Sequence, residues 1–303
     1  MWDELDPRNF DDRDRDPTDP RDLSTDPRDV FTRDLDLPRG LEREHVHVHD
    51  HDYDLRGSEI RALATIGAFR VVPADDLRDA HDRPGDVRHG DLEHLRAEGL
   101  IRTVAPFDRH DERTTLVTLT DRGRELLELH QKRDERDGQT FYARTVKPRE
   151  LSHDAQLYQA YLRAAERLRE EGARVHRVLL DYELKREYQR FLQARNRGRS
   201  ESDGRPSRTR DEVRDWAQEH DLPIVNDHVR FPDVRIEFER SDGRRDIEDI
   251  EVTTLHYRGA HAAGKAAAGF TRFRGSSARV GGRSGRGGRG SSHDPRVAEE
   301  FLK

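Results

Sequence analysis

Asp233 and Glu251 are the two residues whose types and spacing could do chemistry together. From Val234 the chain alternates: Val234, Ile236 and Phe238 are apolar, while Arg235, Glu237 and Glu239 are charged, the period-two pattern of a strand. Ser241-Asp242-Gly243 reads as a hairpin turn, and Ile247 to Thr254 as the returning strand. Centring the turn between Asp242 and Gly243 sets Asp233 beside Val252 and Glu251 beside Val234, so the carboxylates meet at the open end of the hairpin. Such a pair suits a Mg²⁺ site for phosphodiester hydrolysis, because hard oxygen ligands hold an ion that polarises phosphate and activates water. The plainer alternative is two solvent-facing strand residues in a stretch that also carries Glu237, Glu239, Glu248 and Asp249. A second cluster, His45-Val46-His47-Val48-His49-Asp50-His51-Asp52, could bind a divalent ion through histidines sharing one side of an extended chain. Four ligands in one short segment make an entropically poor site, and a polar linker or edge strand is the expected role.

These candidates sit in a chain of 303 residues with 32% hydrophobic and 39% charged residues and no cysteine, which excludes disulfides and thiolate-metal sites. No run approaches the roughly 18 apolar residues of a membrane span, and the acidic start has no signal-peptide pattern. A cytoplasmic location without membrane partners is therefore expected. The net charge of -7 hides a segregation: residues 1–40 carry 13 acids against 7 arginines, whereas residues 252–293 carry 8 basic residues and no acid. That asymmetry points to a polyanionic partner for the tail. Asp-Pro units recur at Asp6, Asp16, Asp19 and Asp26, and proline breaks regular structure, so residues 1–55 are expected to be disordered. The Gly/Ser/Arg composition after residue 275 predicts a flexible segment able to track a nucleic-acid backbone.

Between Asp54 and His130 the pattern changes. Ser58 is placed to cap a helix with Ile60, Leu63, Ile66 and Phe69 inward. Pro73 sits in the first turn of a short second helix, with Ala74, Leu77 and Ala80 inward, and Asp86 to Glu98 forms a third, closed by Gly99. Two strand-like runs follow, Leu100 to Val104 and Thr114 to Leu119, around a charged tip from Asp108 to Arg113. Beyond a polar connector, a helix from Ser152 to about Glu171 shows a stripe of Leu157, Tyr161, Ala164, Ala165 and Leu168. Gly172 ends it, Val175 to Leu180 reads as a buried strand, and helices are expected over 181–194 and around 211–220.

Three helices and a two-stranded wing, with Leu95-Arg96-Ala97-Glu98-Gly99-Leu100-Ile101 and Leu119-Thr120-Asp121-Arg122-Gly123, resemble the winged helix-turn-helix of multiple-antibiotic-resistance-type regulators. In that fold a helix fits the major groove and a basic wing tip touches the backbone, which makes Arg88, His89, Arg109 and Arg113 the candidate contacts to double-stranded DNA. Pro232-Asp233, a strand, and Glu251-Val252-Thr253 resemble the core motif of PD-(D/E)XK nucleases. The whole order is similar to the plasmid replication-relaxation family, which also places a His-Asp pair near the start of the first core helix, matched by His153 and Asp154. That resemblance implies Asp233 and Glu251 as metal ligands and catalytic residues, with Mg²⁺ as the cofactor if the domain is catalytic and none otherwise. The family's lysine falls on Thr253, which cannot supply a cation; Lys265 on the following helix (Ala260 to Phe270) could stand in. An α+β or α/β chain is expected, with a tail over 1–55, a winged helix over 56–132, a linker over 133–151, a nuclease-like mixed sheet over 152–275 and a tail over 276–303. The expected function is a DNA-binding accessory protein of plasmid or mobile-element replication-relaxation, its second domain more an inactivated nuclease than a live one. The alternatives are a homodimeric winged-helix regulator whose C-terminal half is an interaction module, and a structural adaptor without DNA affinity.

Overall fold

The computed structural model describes residues 28–77, 90–104, 115–132, 138–143, 148–196, 208–253 and 267–274. In chain order a 3₁₀ turn (Asp29–Phe31) precedes β1 (Glu44–Val48), β2 (His51–Leu55), α1 (Gly57–Phe69), β3 (Val72–Pro73), a second 3₁₀ turn (Ala74–Leu77), α2 (Asp91–Ala97), β4 (Ile101–Val104), β5 (Leu116–Leu119) and α3 (Asp121–Leu129). There follow α4 (Pro148–Glu170), β6 (Arg174–Leu180), α5 (Asp181–Gln193), α6 (Arg210–Glu219), β7 (Ile224–Val225), β8 (His228–Val229), β9 (Val234–Glu239), β10 (Arg245–Thr253) and β11 (Thr271–Arg274). The chain is a mixed α+β protein. Its larger sheets run β3-β5-β4 and β11-β10-β9-β6, and β1-β2 and β7-β8 form two-stranded ribbons.

Part of the stretch expected to be disordered is ordered. Residues 28–55 hold the first 3₁₀ turn and the β1-β2 hairpin, because Phe31, Leu35, Val46, Val48, Tyr53 and Leu55 are buried in the main core. Composition averaged over the Asp-Pro-rich segment conceals these few apolar anchors. Residues 1–27 and the Gly/Arg tail from 275 lie outside the described residues.

Helix α1 starts after Arg56 rather than being capped by Ser58, whose hydroxyl instead donates to Asp91 at 2.6 Å. Glu59 is fully buried, and its carboxylate accepts from the Arg56 amide (3.0 Å) and from Arg43 (2.6 Å). Asp91 is equally buried and accepts from the Arg56 guanidinium. Buried charges persist only when paired and hydrogen-bonded, and here the pairing ties α1 to α2 and to the approach to β1. Pro73 lies in β3, not in a helix; lacking an N–H, it suits the edge strand of β3-β5-β4. Gly99 adopts φ +70°, as expected for a helix stop, and β4 and β5 pair antiparallel over Ile101↔Leu119 to Val104↔Leu116. The Thr120-Asp121-Arg122-Gly123 segment has a plain physical cause. Thr120 accepts from the Gly123 amide and its hydroxyl donates to the Gly99 carbonyl at 2.7 Å, while a Cβ on Gly123 would lie 2.3 Å from the Leu100 carbonyl oxygen.

Helix α4 begins at Pro148, before the expected Ser152, since proline is tolerated in a first turn. Its apolar stripe is the expected one plus Tyr158, all buried. One edge meets α1: the Phe69 ring lies 5.1 Å from Tyr158 and 5.2 Å from Tyr161, and Phe31 stands edge-on to Phe69 at 5.4 Å. The other edge covers Val178, Ile236, Ile250 and Val252 of the four-stranded sheet, so one continuous core crosses the expected 133–151 linker. The opposite face of that sheet carries a smaller cluster of Leu179, Leu184, Trp216, Ala217 and Leu222.

Because Phe69, Tyr158 and Tyr161 lock the two halves into one core, Phe69→Ala is expected to cost about 3–5 kcal/mol. Urea denaturation followed by both fluorescence and far-UV circular dichroism should shift as a single transition; two separated transitions would refute the shared core.

Candidate functional site

The hairpin register differs from expectation by one residue. Observed pairs run from Arg245↔Glu239 to Ile250↔Val234. The loop is the three residues Ser241, Asp242 and Gly243, closed by Arg240 N–H to Arg244 O at 2.8 Å, with Gly243 at φ +80°. An odd-numbered loop with a left-handed glycine centres the turn on Asp242. Pairing stops at Ile250↔Val234, and the Asp233 amide turns to the same Ile250 carbonyl, so the ladder is displaced at Asp233 and the expected pairing of Asp233 with Val252 does not form.

Neither acid faces solvent. Asp233 is 5% and Glu251 3% exposed. Asp233 holds the start of β9 in place: its amide donates to Ile250 O at 3.0 Å, its carbonyl accepts from the Asp181 amide at 3.2 Å, and its Oδ2 accepts from the Val252 amide at 2.9 Å. The side chain thus extends the β9-β10 ladder beyond the last strand pair, while the backbone fixes the start of α5. Beyond it, Thr253 donates its hydroxyl to Phe273 O of β11 at 3.1 Å.

Helix α4 brings His153 and Asp154 to this end of the sheet. His153 Nε2 lies 3.2 Å from Asp233 Oδ2, and its Nδ1 3.4 Å from Asp154 Oδ1. Asp154 is 4% exposed, and its Oδ2 lies 3.3 Å from Arg70 Nη1. Arg70 follows α1 directly and adopts φ +65°, a left-handed conformation that a non-glycine residue takes at a cost. The resulting chain of alternating charge, Arg70, Asp154, His153, Asp233, runs from the first half of the molecule to the sheet. Burial works against the His153 cation, but hydrogen bonds with Asp154 and Asp233, and the charges of both, raise its pKa from 6.5 to about 10. The two carboxylates thus favour the protonated ring.

Arg235, next to Asp233, is buried and forks onto Asp249 at 2.7 and 2.9 Å; it also donates to the carbonyls of His220 (2.6 Å) and Asp221 (3.0 Å). It satisfies acceptors at the C-terminal end of α6 and anchors that helix on the sheet.

Of the expected site residues, the structure buries Asp233 and Glu251 at one end of the β9-β10 pair, and sets His153 beside Asp233 and Asp154 beside His153. Lys265, Arg88, His89, Arg109 and Arg113 lie outside the described residues. Arg70 went unread because nothing in its local sequence marks the strained turn that aims it at α4. The donor set does not fit a divalent cation as it stands. Asp233 Oδ2 already meets an amide and an imidazolium, and among the described residues no group of three or more His, Asp or Glu side chains is disposed to hold a metal ion. Three of the four histidines of the β1-β2 hairpin are likewise engaged one by one, His45 with Asp54 and His47 with Asp52, both at 2.7 Å, and His49 with Glu125 at 3.0 Å, while the His51 ring lies against Tyr53. Among the described residues no helix is long and apolar enough to cross a membrane. The chain matches no family model, no curated protein and no solved structure.

The raised pKa of His153 sets a pH window. A group whose folded pKa lies above its unfolded value stabilises the fold fully below about 6.5 and loses that contribution as pH rises through about 10. His153→Gln should therefore cost about 2–3 kcal/mol at neutral pH, moderated by solvent at the partly open ring. In urea titrations that cost should shrink as pH approaches 10; a cost independent of pH would exclude an imidazolium at this position.

Proposed function

We propose that this chain is a DNA-binding accessory protein of plasmid or mobile-element replication-relaxation. A winged helix-turn-helix engages duplex DNA, and a PD-(D/E)XK-like sheet serves as a scaffold that does not cut. The observation that carries this reading is the order and pairing of elements around the two acids. Helix α4 precedes β6; β6, β9 and β10 are antiparallel neighbours; β11 lies parallel to β10; and Asp233 and Glu251 are buried at one end of the β9-β10 pair. The run of helix, strand and hairpin accords with the nuclease resemblance, whereas β11 was no part of that expectation and most of the expected later helix lies outside the described residues.

The first half supports the DNA-binding part. Helices α1 and α2 lead into the β4-β5 pair, and β3 completes a three-stranded sheet, the layout of a winged helix. On α2 the exposed positions are Glu93, Arg96 and Ala97, so the described part of this helix offers one cation and one anion to a phosphate backbone. Affinity would then draw on Arg88, His89, the wing-tip arginines and the basic tail.

Loss of cutting follows from the chemistry at the acid pair. The position where the resemblance calls for lysine is Thr253, whose hydroxyl is spent on Phe273 O and which carries no charge to stabilise a developing anion. Asp233 is held by the β10 amide and by His153 rather than presented to a substrate.

Two measurements test the reading. Fluorescence anisotropy with duplex DNA should give binding that weakens with salt, with a log–log slope of about −4 to −5 if roughly five phosphates are contacted. Binding without salt dependence, or none, would leave the adaptor alternative, while dimers preferring palindromic sites would favour the regulator. Supercoiled plasmid with Mg²⁺ should stay intact; nicking that Asp233→Ala and Glu251→Ala both abolish would make the sheet a working nuclease.

A further inference from the structure

The objection to a metal site among the histidines of residues 45–51 is entropic: ligands on a short flexible segment must be ordered by the ion itself. The fold removes that objection for two of them. Val46, Val48, Tyr53 and Leu55 are buried in the main core, so packing orders the β1-β2 hairpin before any ligand arrives. The register, Glu44↔Leu55 to Val48↔His51, turns those four residues inward and sends His45 and His47 to the outer face, opposite Asp54 and Asp52. The two histidines stand two residues apart on one strand, with about 6.7 Å between their Cα atoms. Their side chains are 86% and 69% exposed, so both rings are free to lean toward each other along the strand.

Each ring is also oriented as a metal ligand needs to be. His45 Nδ1 lies 2.7 Å from Asp54 Oδ1, and His47 Nδ1 lies 2.7 Å from Asp52 Oδ1. An ionised carboxylate only accepts, so in the neutral imidazole the hydrogen sits on Nδ1 and the lone pair on Nε2. Among the described residues neither Nε2 has a hydrogen-bonding partner. A carboxylate on one ring nitrogen and a bare lone pair on the other is the arrangement that fixes metal-binding histidines and raises their basicity. The other two histidines do not share it: His49 turns its Nε2 to Glu125, and His51 lies on the inner face against Tyr53.

We propose that His45 and His47 form a two-histidine chelate on the outer face of the hairpin for a late first-row divalent ion such as Zn²⁺, bound through both Nε2 atoms, with Asp54 and Asp52 orienting the rings rather than coordinating. Imidazole nitrogen suits Zn²⁺, Ni²⁺ and Cu²⁺, whereas Mg²⁺ and Ca²⁺ prefer oxygen. Two protein ligands leave two positions of a tetrahedral ion open to water or to an external donor. That count agrees with the lack of any three-residue ligand group among the described residues. The chelate shares no residue with the acid cluster around Asp233, and it stands whether or not the chain binds DNA.

The test is isothermal titration of the full chain with ZnCl₂ at neutral pH, for wild type, His45→Gln, His47→Gln and Asp52→Ala. All three substituted side chains face solvent, so the variants should keep the wild-type circular-dichroism spectrum and urea midpoint. Wild type should show a saturable binding event of one Zn²⁺ per chain that excess Mg²⁺ does not displace. Either histidine variant alone should lose that event, since a single imidazole cannot chelate. Asp52→Ala should keep it with ~10–100-fold lower affinity, the effect of losing a supporting carboxylate. Long-range ¹H–¹⁵N spectra of the imidazole rings read the same geometry: the Nε2 resonances of His45 and His47, assigned from the two variants, should move on addition of Zn²⁺. A wild type without saturable binding, an event that either histidine variant retains at full strength, displacement by Mg²⁺, or unmoved Nε2 resonances would each overturn the proposal.

Discussion

The carboxylate of Asp233 is the contact on which much of the second half depends. Strand β9 starts beside β10, and an unextended ladder would leave the Val252 amide without an acceptor where the strands part. The Asp233 side chain accepts from it, its backbone adds one bond to β10 and one to the start of α5, and its charge holds His153 of α4. Four elements therefore meet at a single residue. Burying an acid is costly unless charge and lone pairs are satisfied together, and these partners satisfy both. The same requirement keeps the corner assembled, since loss of any one partner leaves the others buried and uncompensated.

A parallel constraint operates in the first half. Glu59 and Asp91 are buried completely and are matched by Arg43, Arg56, Ser58 and His94, drawn from α1, α2 and the segment ahead of β1. With hydrophobic residues at 32% of the chain, apolar packing alone is thin. Paired buried charges fix orientation where methyl groups would tolerate sliding. The aromatic cluster of Phe31, Phe69, Tyr158 and Tyr161 then joins the halves, and the Arg70–Asp154 contact crosses the same seam beside it. The acid site consequently belongs to neither half alone. A displacement of α1 moves Arg70, and through Asp154 it reaches His153.

For the scaffold reading this arrangement has a physical consequence. A metal-dependent site keeps its acids exposed to an ion and tolerates their mutual repulsion until the ion arrives. Here Asp233 and Asp154 are held by His153 and Arg70 of the chain itself, which favours rigidity over turnover. The strained φ of Arg70 is the cost of reaching Asp154 from the end of α1, and it is borne at the seam between the two halves.

Much of this was legible in the residues. The period-two run from Val234 to Glu239, the helical stripe from Leu157 to Leu168 and the stops at Gly99 and Gly172 are local patterns, and each formed because a local period matched the face it had to bury. That Asp233 and Glu251 stand toward the open end of one hairpin was also readable, since a hairpin brings its ends together whatever surrounds it. Their register was not, because one residue of loop length depends on whether Gly243 takes a left-handed turn. Strand β11 was missed because four residues carry no period of their own, and the order of residues 28–55 because the Asp-Pro-rich composition outweighed the short alternation at 44–48 and 51–55 and the few apolar anchors ahead of it. Only the tertiary structure set Arg70 against Asp154 and His153 against Asp233. Those contacts span 84 and 80 positions of sequence, and no local spacing encodes which distant charge a buried carboxylate will meet.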